Sequence, residues 1–502
     1  MDFITNFPLF SIVLSLFSGA LCFTLRGHGR AAKIYTVCVE SVLIALNLCV
    51  LIYTLKTGTS FTYTMGEFPA PWGNEIRAGV LEAFLAVSFV GILLCSVLAG
   101  YRFVRIDMDA EKINLYYALI NLLTAALMAL IWTNDIFTGY VFLEIMTLTS
   151  CGILIVREIG RTTLAAVRYM IMNLLGSGLF LLGVVLLYDL TGHLLMVPMQ
   201  EAIRELSVDT KVIPVLTMSV VILTIGLSIK SGLFPFHFWM PDTYGWATPT
   251  SASILSSLVS KAYIFLLIKI YYRAVGFWVI EQMPIQGVLM VLGICGIVIG
   301  SFQAIRANTI NSMVAFSSAA QIGYIYMGIG LGGEAGYTAA IFHMLAHAVT
   351  KSLLFLTTPR LAAVSGESLI FKRLQGSGLR DRMAGVAFLI SSFSMIGIPI
   401  FAGFSSKIQF GLAAVSTRSD GIVISVMLAL ALSSALNAVY FIRTIIRIYS
   451  TRDGAETEED TGRSRDLSFV GPMLALTLGN LFLGLFSWIA VGWIQTGLSM
   501  FS

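Results

Sequence analysis

Charged side chains are scarce in this sequence. Lysine, arginine, aspartate and glutamate supply only 12% of the 502 residues, whereas 57% are apolar and the mean hydropathy is +0.88. A water-exposed surface needs more charge than this, so the composition excludes a soluble protein and predicts an all-α polytopic membrane protein in a lipid bilayer. The net charge of +4 is small, and we expect no nucleic-acid partner.

Motifs that hold cofactors are also missing. The six cysteines form no C-x-x-C pair and lie in or beside apolar runs, where packing explains them. The sequence has neither a G-x-G-x-x-G segment nor a P-loop. We therefore expect no cofactor in this chain, and any electrons or nucleotides would be handled by another subunit.

Long apolar runs fill the sequence instead. About fourteen runs approach the ~20 residues that a helix needs to cross a bilayer. The run near residue 222 is expected to continue to about residue 245 as a broken helix. The first run lacks a small-residue cleavage site, so we interpret it as a retained helix. The approximate centres of the runs are residues 15, 45, 90, 121, 145, 177, 222, 260, 295, 320, 348, 395, 432 and 483.

The basic residues indicate an orientation. We place 19 lysines and arginines in odd-numbered loops and 6 in even-numbered loops, with Arg360 in the first group and Arg273 in the second. Cytoplasmic loops carry the excess of positive charge in membrane proteins. The odd-numbered loops are therefore predicted to face the cytoplasm, which puts both termini on the outer face.

Four lysines lie inside the apolar runs: Lys230, Lys261, Lys351 and Lys407. An ammonium group at mid-membrane depth costs several kcal/mol unless it is paired, hydrated or neutralised. Lys230 precedes a proline-interrupted segment and Lys407 follows one, and paired helix breaks of this kind mark ion sites in transporters. The four lysines are best interpreted as a path for ions.

Five segments around these lysines carry a family resemblance. They span about residues 130 to 410, and they resemble, in the same order, the antiporter-like subunits shared by complex I, membrane-bound hydrogenases and Mrp-type sodium/proton antiporters. The segments are DIFTGYVFLEIMTLTS, KSGLFPFHFWMPDTYGWATPTSASILSSLVSKAYIF, VAFSSAAQIGYIYMGIG, IFHMLAHAVTKSLLF and IGIPIFAGFSSK.

The resemblance implies a fold of about fourteen transmembrane helices with two inverted five-helix repeats and broken helices 7 and 12. Residues 1–110 would hold helices 1 to 3, residues 111–275 the first repeat with helices 4 to 8, and residues 284–450 the second repeat with helices 9 to 13. Residues 451–502 would hold a charged loop and helix 14.

The resemblance also implies roles for the site residues. Glu144 matches the family's glutamate on helix 5, which is expected to pair with Lys230 on helix 7. Lys261 matches the central lysine on helix 8, and Lys407 the terminal lysine on helix 12. The expected link between centre and exit is made by three residues of helix 11: His343, His347 and Lys351.

The implied function is translocation of protons, with sodium as a second candidate ion, in a subunit of a redox-driven complex similar to a membrane-bound hydrogenase or complex I. Other membrane subunits and peripheral redox subunits would be its partners, and the latter would hold any iron–sulfur cluster or NiFe centre. A prokaryotic cytoplasmic membrane is the expected location. A subunit of an Mrp-type antiporter without redox chemistry is the alternative, followed by a stand-alone secondary transporter and a membrane enzyme.

Several site residues have a second interpretation. Glu144 and Lys230 could form a structural ion pair that locks two helices together. His343 and His347 share a helical face and could bind a metal ion, but no third ligand is evident, so a relay role is favoured. His237 follows the break after Lys230 and is either a relay residue or a cap of a helix end.

The sequence departs from the family at two places. The family's aspartate early in helix 3 has no counterpart in EIRAGVLEAFLAV, where Glu82 is a candidate substitute, and Asn311 replaces a family lysine. Ser317, in the motif that follows Asn311, is a further relay or structural candidate. Lys269 stands two turns beyond Lys261, and we expect it to extend to the membrane interface.

Two polar segments are predicted as loops. Segment 57–77 is rich in proline and glycine and is expected to form an outer loop with interfacial aromatic residues. Segment 451–466, with mixed charge and no apolar face, is predicted to be a solvated cytoplasmic loop, with partner docking as an alternative.

Overall fold

The computed structural model describes residues 3–68, 73–207, 209, 211–450 and 467–501. Within these residues, thirteen helices are long and apolar enough to cross a bilayer. They are α1 (Phe3–Thr24), α2 (Gly29–Thr57), α3 (Val80–Asp107), α4 (Ala110–Trp132), α5 (Ile136–Ile155), α6 (Gly160–Thr191), α7 (Ile213–Trp246), α8 (Pro249–Ile280), α9 (Ile285–Arg306), α10 (Ile310–Leu331), α11 (Gly333–Ala363), α13 (Asp420–Tyr449) and α14 (Ser468–Leu485), with α12 described next.

Two shorter helices, Arg382–Ile396 and Ala402–Ser416, lie between α11 and α13, and we label them together as α12. The thirteen candidate membrane spans of the described residues confirm the predicted all-α polytopic fold. Other short helices are Met196–Leu206 between α6 and α7, Ser377–Arg380 before α12, and Ser487–Ser499 after α14.

The predicted breaks in α7 and α12 are both present. The first half of α7 ends at Ser231, and Gly232 follows with φ of +79°. The first half of α12 ends at Ile396, and Gly397 follows with φ of +91°. A left-handed residue of this kind terminates a helix, and it is usually glycine because other side chains are strained there. Each break lies in the fourth helix of its predicted repeat, although the inverted repeats and their boundaries stay predictions.

The interior of the helix bundle is formed by α8 and α11, whose most apolar 18-residue windows are wholly buried. By contrast, only 28% of the corresponding window of α13 is buried, so that helix is peripheral. A helix that is apolar on all sides is stable only when other helices or lipid surround it. The two central helices carry two of the four predicted lysines, Lys261 and Lys351.

The central helix α8 is irregular at two points. Leu255–Val259 and Ile270–Gly276 are π-helical, with a wider turn than an α-helix. Such segments are uncommon and are often associated with functional sites. The first of them lies immediately before the turn that carries Lys261.

The outer loop predicted for segment 57–77 contains a β-hairpin. Strand β1 (Phe61–Thr64) pairs with β2 (Glu75–Ala78) in antiparallel register. The prediction of a loop was wrong for these residues because the alternating aromatic and β-branched residues of β1 favour an extended strand. Segment 451–466, predicted as a charged loop, lies outside the described residues.

Three basic residues lie deeper than predicted. Arg273 and Arg360 belong to α8 and α11, not to loops, because these helices are 32 and 31 residues long. Lys269 is fully buried, and its Nζ donates to the carbonyl oxygens of Ile131, at 2.9 Å, and Thr133. The expectation that Lys269 reaches the interface was therefore wrong, since the carbonyls at the end of α4 satisfy its amine inside the protein.

Glycines allow α9 and α10 to pack with their backbones in contact. A Cβ atom at Gly323 would lie 2.5 Å from the carbonyl oxygen of Gly293 and 2.8 Å from the amide nitrogen of Ile297. We expect Gly323→Ala to lower the unfolding temperature, because both opposing atoms belong to backbone that cannot move aside independently. Thermal unfolding of the purified protein tests this. Gly287→Ala, in the same helix pair but facing open space, should leave the unfolding temperature unchanged.

Candidate functional site

The structure brings Glu144 of α5 and Lys230 of α7 together. Nζ of Lys230 lies 3.4 Å from Oε1 of Glu144 and donates to the hydroxyl of Thr147 at 2.7 Å. The hydroxyl of Ser177, on α6, donates to the same carboxylate oxygen. Lys230 is fully buried, whereas a quarter of the Glu144 side chain is exposed. The pair is thus open on the carboxylate side and closed on the amine side.

The pair is linked to α8 through two hydroxyl groups. Thr147 contacts the hydroxyl of Tyr263 at 3.3 Å, and Nζ of Lys230 lies 5.4 Å from the centre of that ring. Tyr263 stands two residues after Lys261, whose Nζ donates to the carbonyl oxygen of Ser256 in the π-helical turn. The irregular turn of α8 therefore supplies the acceptor for the central lysine.

Serines of α10 connect Lys261 with Lys351. The hydroxyl of Ser256 lies 3.0 Å from that of Ser318. The adjacent Ser317 accepts a hydrogen bond from Nζ of Lys351, which also donates to the carbonyl oxygen of Val314 at 2.8 Å. Ser317 thus contacts the α11 lysine directly, whereas Ser318 contacts Ser256, the residue whose carbonyl oxygen accepts from Lys261.

The two histidines of α11 are stacked and buried. Their ring centres are 6.0 Å apart with an angle of 6° between the planes. Nδ1 of His343 lies 2.7 Å from the hydroxyl of Ser406 on α12. Nε2 of His343 and both ring nitrogens of His347 have no hydrogen-bond partner among the protein atoms described. Buried polar atoms are usually paired, so these nitrogens are suited to exchanging protons with water or with each other.

Lys407, on α12, is the last of the predicted relay residues. We call these residues the row: Glu144, Lys230, Lys261, Lys351, His347, His343 and Lys407. Nζ of Lys407 donates at 2.6 Å to the carbonyl oxygen of Ile396, the last residue before the helix break, and at 2.6 Å to the hydroxyl of Ser434 on α13. Ser406, the partner of His343, precedes Lys407 in the sequence. Adjacent residues of α12 thus contact the helix break, through Lys407, and the histidine pair, through Ser406.

We expect Lys407→Gln to separate the structural and ionic roles of this side chain. Glutamine keeps two N–H donors for Ile396 and Ser434, but its side-chain amide does not take up a proton and stays uncharged. The complex that contains this variant should assemble normally and lose transport, as measured by proton movement into reconstituted vesicles. Lys407→Ala should lose both transport and thermal stability, and wild-type transport by Lys407→Gln would contradict the role.

Two other candidates do not lie in this row. Nε2 of His237 pairs with Oε1 of Gln303 at 2.9 Å, which fits a structural contact between α7 and α9. Glu82 forms a buried ion pair with Arg77, at 2.5 Å, beside the β-hairpin. Neither contact involves one of the seven predicted relay residues.

The charge of the row is unbalanced. Among the described residues, the only ion pair made by the four predicted lysines is the one between Lys230 and Glu144. The other three amines donate to carbonyl and hydroxyl oxygens. No group of three or more histidine, cysteine, aspartate and glutamate side chains in the described part of the chain could hold a metal ion.

Sequence reasoning missed the hydroxyl groups between the charged residues. The signal is present in the sequence as serine pairs beside lysines, in SSLVSK before Lys261, in AFSSAA and in GFSSK before Lys407. Serines in apolar helices usually bond to their own backbone, so their pairing across helices could not be inferred. The missed contacts are made by Thr147, Ser177, Ser256, Tyr263, Ser318, Ser406 and Ser434.

Curated relatives cover most of the chain. It is 32% identical over 454 residues to NADH-quinone oxidoreductase subunit N of Desulforudis audaxviator (strain MP104C), with 86% of each chain covered. It is 26% identical over 479 residues to the putative antiporter subunit mnhD2 of Staphylococcus haemolyticus (strain JCSC1435), with 94% of this chain and 92% of the relative covered.

Two solved structures share the fold. The chain superposes with a TM-score of 0.86 on a chain of the Mrp complex from Dietzia sp. DQ12-45-1b, covering 99% of this chain and 97% of that one. The TM-score is 0.87 for a chain of the membrane-bound sulfane sulfur reductase, an archaeal respiratory membrane complex, with 98% and 97% covered. Both are 23% identical in sequence, so they show the fold alone.

The family model described as NADH:quinone oxidoreductase/Mrp antiporter, TM, matches residues 133–433. This range begins just before the helix of Glu144 and ends beyond Lys407, so it contains the whole row of charged residues. The match covers more than half of the chain, and the resemblance inferred from the motifs is confirmed. The chain belongs to the NADH:quinone oxidoreductase/Mrp antiporter membrane family.

Proposed function

We propose that this chain is an ion-translocating, antiporter-like subunit of a multi-subunit membrane complex and that protons are the ions it moves. The observation that carries the proposal is the series of titratable groups from Glu144 to Lys407, nearly all of them buried, with hydroxyl groups lying between several of them. Intramembrane ionisable groups are costly and are functional by default. The seven residues of the relay are Glu144, Lys230, Lys261, His343, His347, Lys351 and Lys407.

The relay would begin at the only carboxylate in the row. A carboxylate that approaches or leaves an ammonium group changes how strongly that group holds its proton. Glu144 is the partly exposed member of the pair, so a neighbouring subunit can act on it directly. Movement of this carboxylate away from Lys230 would therefore lower the proton affinity of the lysine and favour transfer of the proton towards Lys261.

The central segment would carry the proton between the two halves of the chain. The hydroxyls of Tyr263, Ser256 and Ser318 can each accept and donate a hydrogen bond, as a proton path requires. The stacked histidines would then pass the proton from Lys351 towards Ser406 and Lys407. Ser317 would hold the amine of Lys351 in the path, which makes it a positioning residue.

The Glu144–Lys230 pair can supply the free energy needed to move one proton against the membrane potential. Moving one charge across a membrane potential costs about 2.3 kcal/mol per 100 mV. This corresponds to a change of about fifty-fold in proton affinity, at about 1.4 kcal/mol per tenfold change. Pairing and unpairing one buried ammonium and one carboxylate can supply a change of this size.

For the parent complex, we favour a redox-driven assembly in a prokaryotic cytoplasmic membrane, with both termini on the outer face. The likeness to NADH-quinone oxidoreductase subunit N supports this choice. Peripheral redox subunits would then hold any iron–sulfur cluster or NiFe centre. The likeness to the putative antiporter subunit mnhD2 supports the second candidate, a sodium/proton antiporter subunit without redox chemistry. The row of buried amines in this chain is compatible with either complex.

The composition of the native complex tests the proposal. The complex would be purified through a tag on this chain, and its subunits identified by mass spectrometry. Copurifying iron–sulfur or quinone-reducing subunits would support the redox-driven complex, and membrane antiporter subunits alone would support the second candidate. A chain that purifies alone and transports ions by itself would contradict both and identify a stand-alone transporter.

A further inference from the structure

A buried carboxyl group without an ion pair in the described residues lies outside the row, in the N-terminal helices. Glu40, on α2, is fully buried. It precedes the region matched by the family model, which starts at residue 133. No salt bridge to Glu40 is formed by the described residues, and its Oε2 has no hydrogen-bond partner among the protein atoms described.

The surroundings of Glu40 are rich in oxygen acceptors. Two side chains of α2 accept hydrogen bonds from α4. The hydroxyl of Thr36 accepts from Nδ2 of Asn121 at 3.0 Å, and Oε1 of Glu40 lies 2.8 Å from the hydroxyl of Thr124. Two turns further along α2, Nδ2 of Asn47 contacts the sulfur of Met128 at 3.4 Å. The side-chain oxygens of Asn47 and Asn121 have no partner among the described atoms. The site therefore holds more acceptors than donors.

The hydroxyl of Thr124 can form a hydrogen bond with Glu40 in two ways. This hydroxyl lies 2.8 Å from Oε1 of Glu40 and 3.0 Å from the carbonyl oxygen of Ile120, but it has only one proton. When it donates to Ile120, the carboxyl of Glu40 must be protonated to donate to the hydroxyl oxygen. When it donates to Glu40, the carboxyl can be ionised, and a buried unpaired carboxylate then needs a cation.

We call the polar contact between α2 and α4 around Glu40 the seam. The other titratable groups near it are weak acids. Cys22 of α1 lies 3.7 Å from the hydroxyl of Thr36, and Tyr117 is one turn before Asn121 on α4. Helix α3 has one titratable side chain in its central part, Cys95. None of these carries a positive charge. Lys33, two turns before Glu40 on α2, places its Nζ 4.1 Å from the centre of the Tyr101 ring.

We propose that Glu40, with the side-chain oxygens of Thr36, Asn121 and Thr124, forms a cation site that holds either one proton or one sodium ion. Carboxylate, amide and hydroxyl oxygens are the ligands that small hard cations prefer. The two cations exclude each other, because the carboxyl must release its proton before it can hold sodium.

Buried hydroxyls extend the seam in both directions along α1. Ser18 accepts from the hydroxyl of Tyr35 at 3.3 Å near one end, and Ser11 accepts from Nε1 of Trp132 at 3.2 Å near the other. Ser15, one turn from Ser11, is fully buried as well. These contacts form a line of polar groups in an otherwise apolar region.

Infrared difference spectroscopy on the purified native complex tests the proposal. Adding sodium chloride at constant pH should remove a carbonyl-stretch band of a protonated carboxyl group, and choline chloride should not. The change should be absent in Glu40→Gln and retained in Glu144→Gln. A sodium-induced band that persists in Glu40→Gln, or a wild-type spectrum that does not respond to sodium, would overturn the proposal.

A second variant covers the case in which Glu40→Gln fails to assemble. Thr124→Val preserves the shape and the carboxyl group but removes one oxygen, so the sodium concentration for half-saturation should rise at least about threefold. An unchanged half-saturation would contradict the site. Binding is measured without turnover, so the proposal does not rest on the proposed function, and the two can fail separately.

Discussion

Lys230→Ala and Glu144→Ala should each abolish ion translocation while the complex still assembles. Both substitutions remove a charge from the relay and leave the packing of α5 and α7 nearly intact. We expect transport to fall at least about tenfold, because the loss of one titratable group should raise the activation free energy of proton transfer by more than about 1.4 kcal/mol. Proton movement into vesicles containing the purified complex would be followed with a pH-sensitive dye, driven by its redox reaction or by an imposed sodium gradient.

The same variants distinguish a relay from a structural ion pair. If the pair only locked helices together, the single variants would lower the yield of assembled complex, and the double variant would recover it. In a relay, assembly stays normal and the double variant transports no better than either single one. Lys56→Ala, which changes an exposed lysine at the end of α2, is the matched control and should transport like the wild type.

Lys351→Ala should have a comparably large effect, because this lysine joins the two halves of the row. Its amine bonds to Ser317 and Val314 of α10, and the neighbouring Ser318 leads to the central lysine. Its removal should reduce transport at least about tenfold in the same vesicle assay. Lys372→Ala, at an exposed position, serves as the control.

Ser317→Ala refines this prediction. The amine of Lys351 would lose one acceptor and keep the carbonyl oxygen of Val314, so we expect a loss of only a few-fold, in line with about 1 kcal/mol for one hydrogen bond. Equal losses for Ser317→Ala and Lys351→Ala would indicate that the serine itself carries the proton. Wild-type transport by Lys351→Ala would remove this lysine from the path.

The fold and the charged positions could be predicted from the sequence because both depend on strong local signals. Runs of apolar residues mark membrane helices, and a lysine within such a run is conspicuous. The breaks at Gly232 and Gly397 could be located from the prolines that follow them. The β-hairpin was missed since two four-residue strands are too short to be distinguished from a loop.

The connections within the site could not be predicted. The contact between Ser256 and Ser318 depends on how α8 and α10 pack, and the acceptor for Lys261 depends on a π-helical turn that has no sequence signature. Lys269 illustrates the same limit, because its burial follows from the position of carbonyl groups at the end of α4. The roles of the individual site residues stay predictions until transport is measured.

The position of Lys407 at the break in α12 has a consequence for the stability of the fold during turnover. Its amine caps the first half of the helix by donating to the carbonyl oxygen of Ile396, and it donates once more to Ser434. A neutral amine still has two N–H groups, so both acceptors remain satisfied after the proton has left. The helix end can therefore keep its shape in both protonation states, and the terminal lysine can release its charge without releasing the helix.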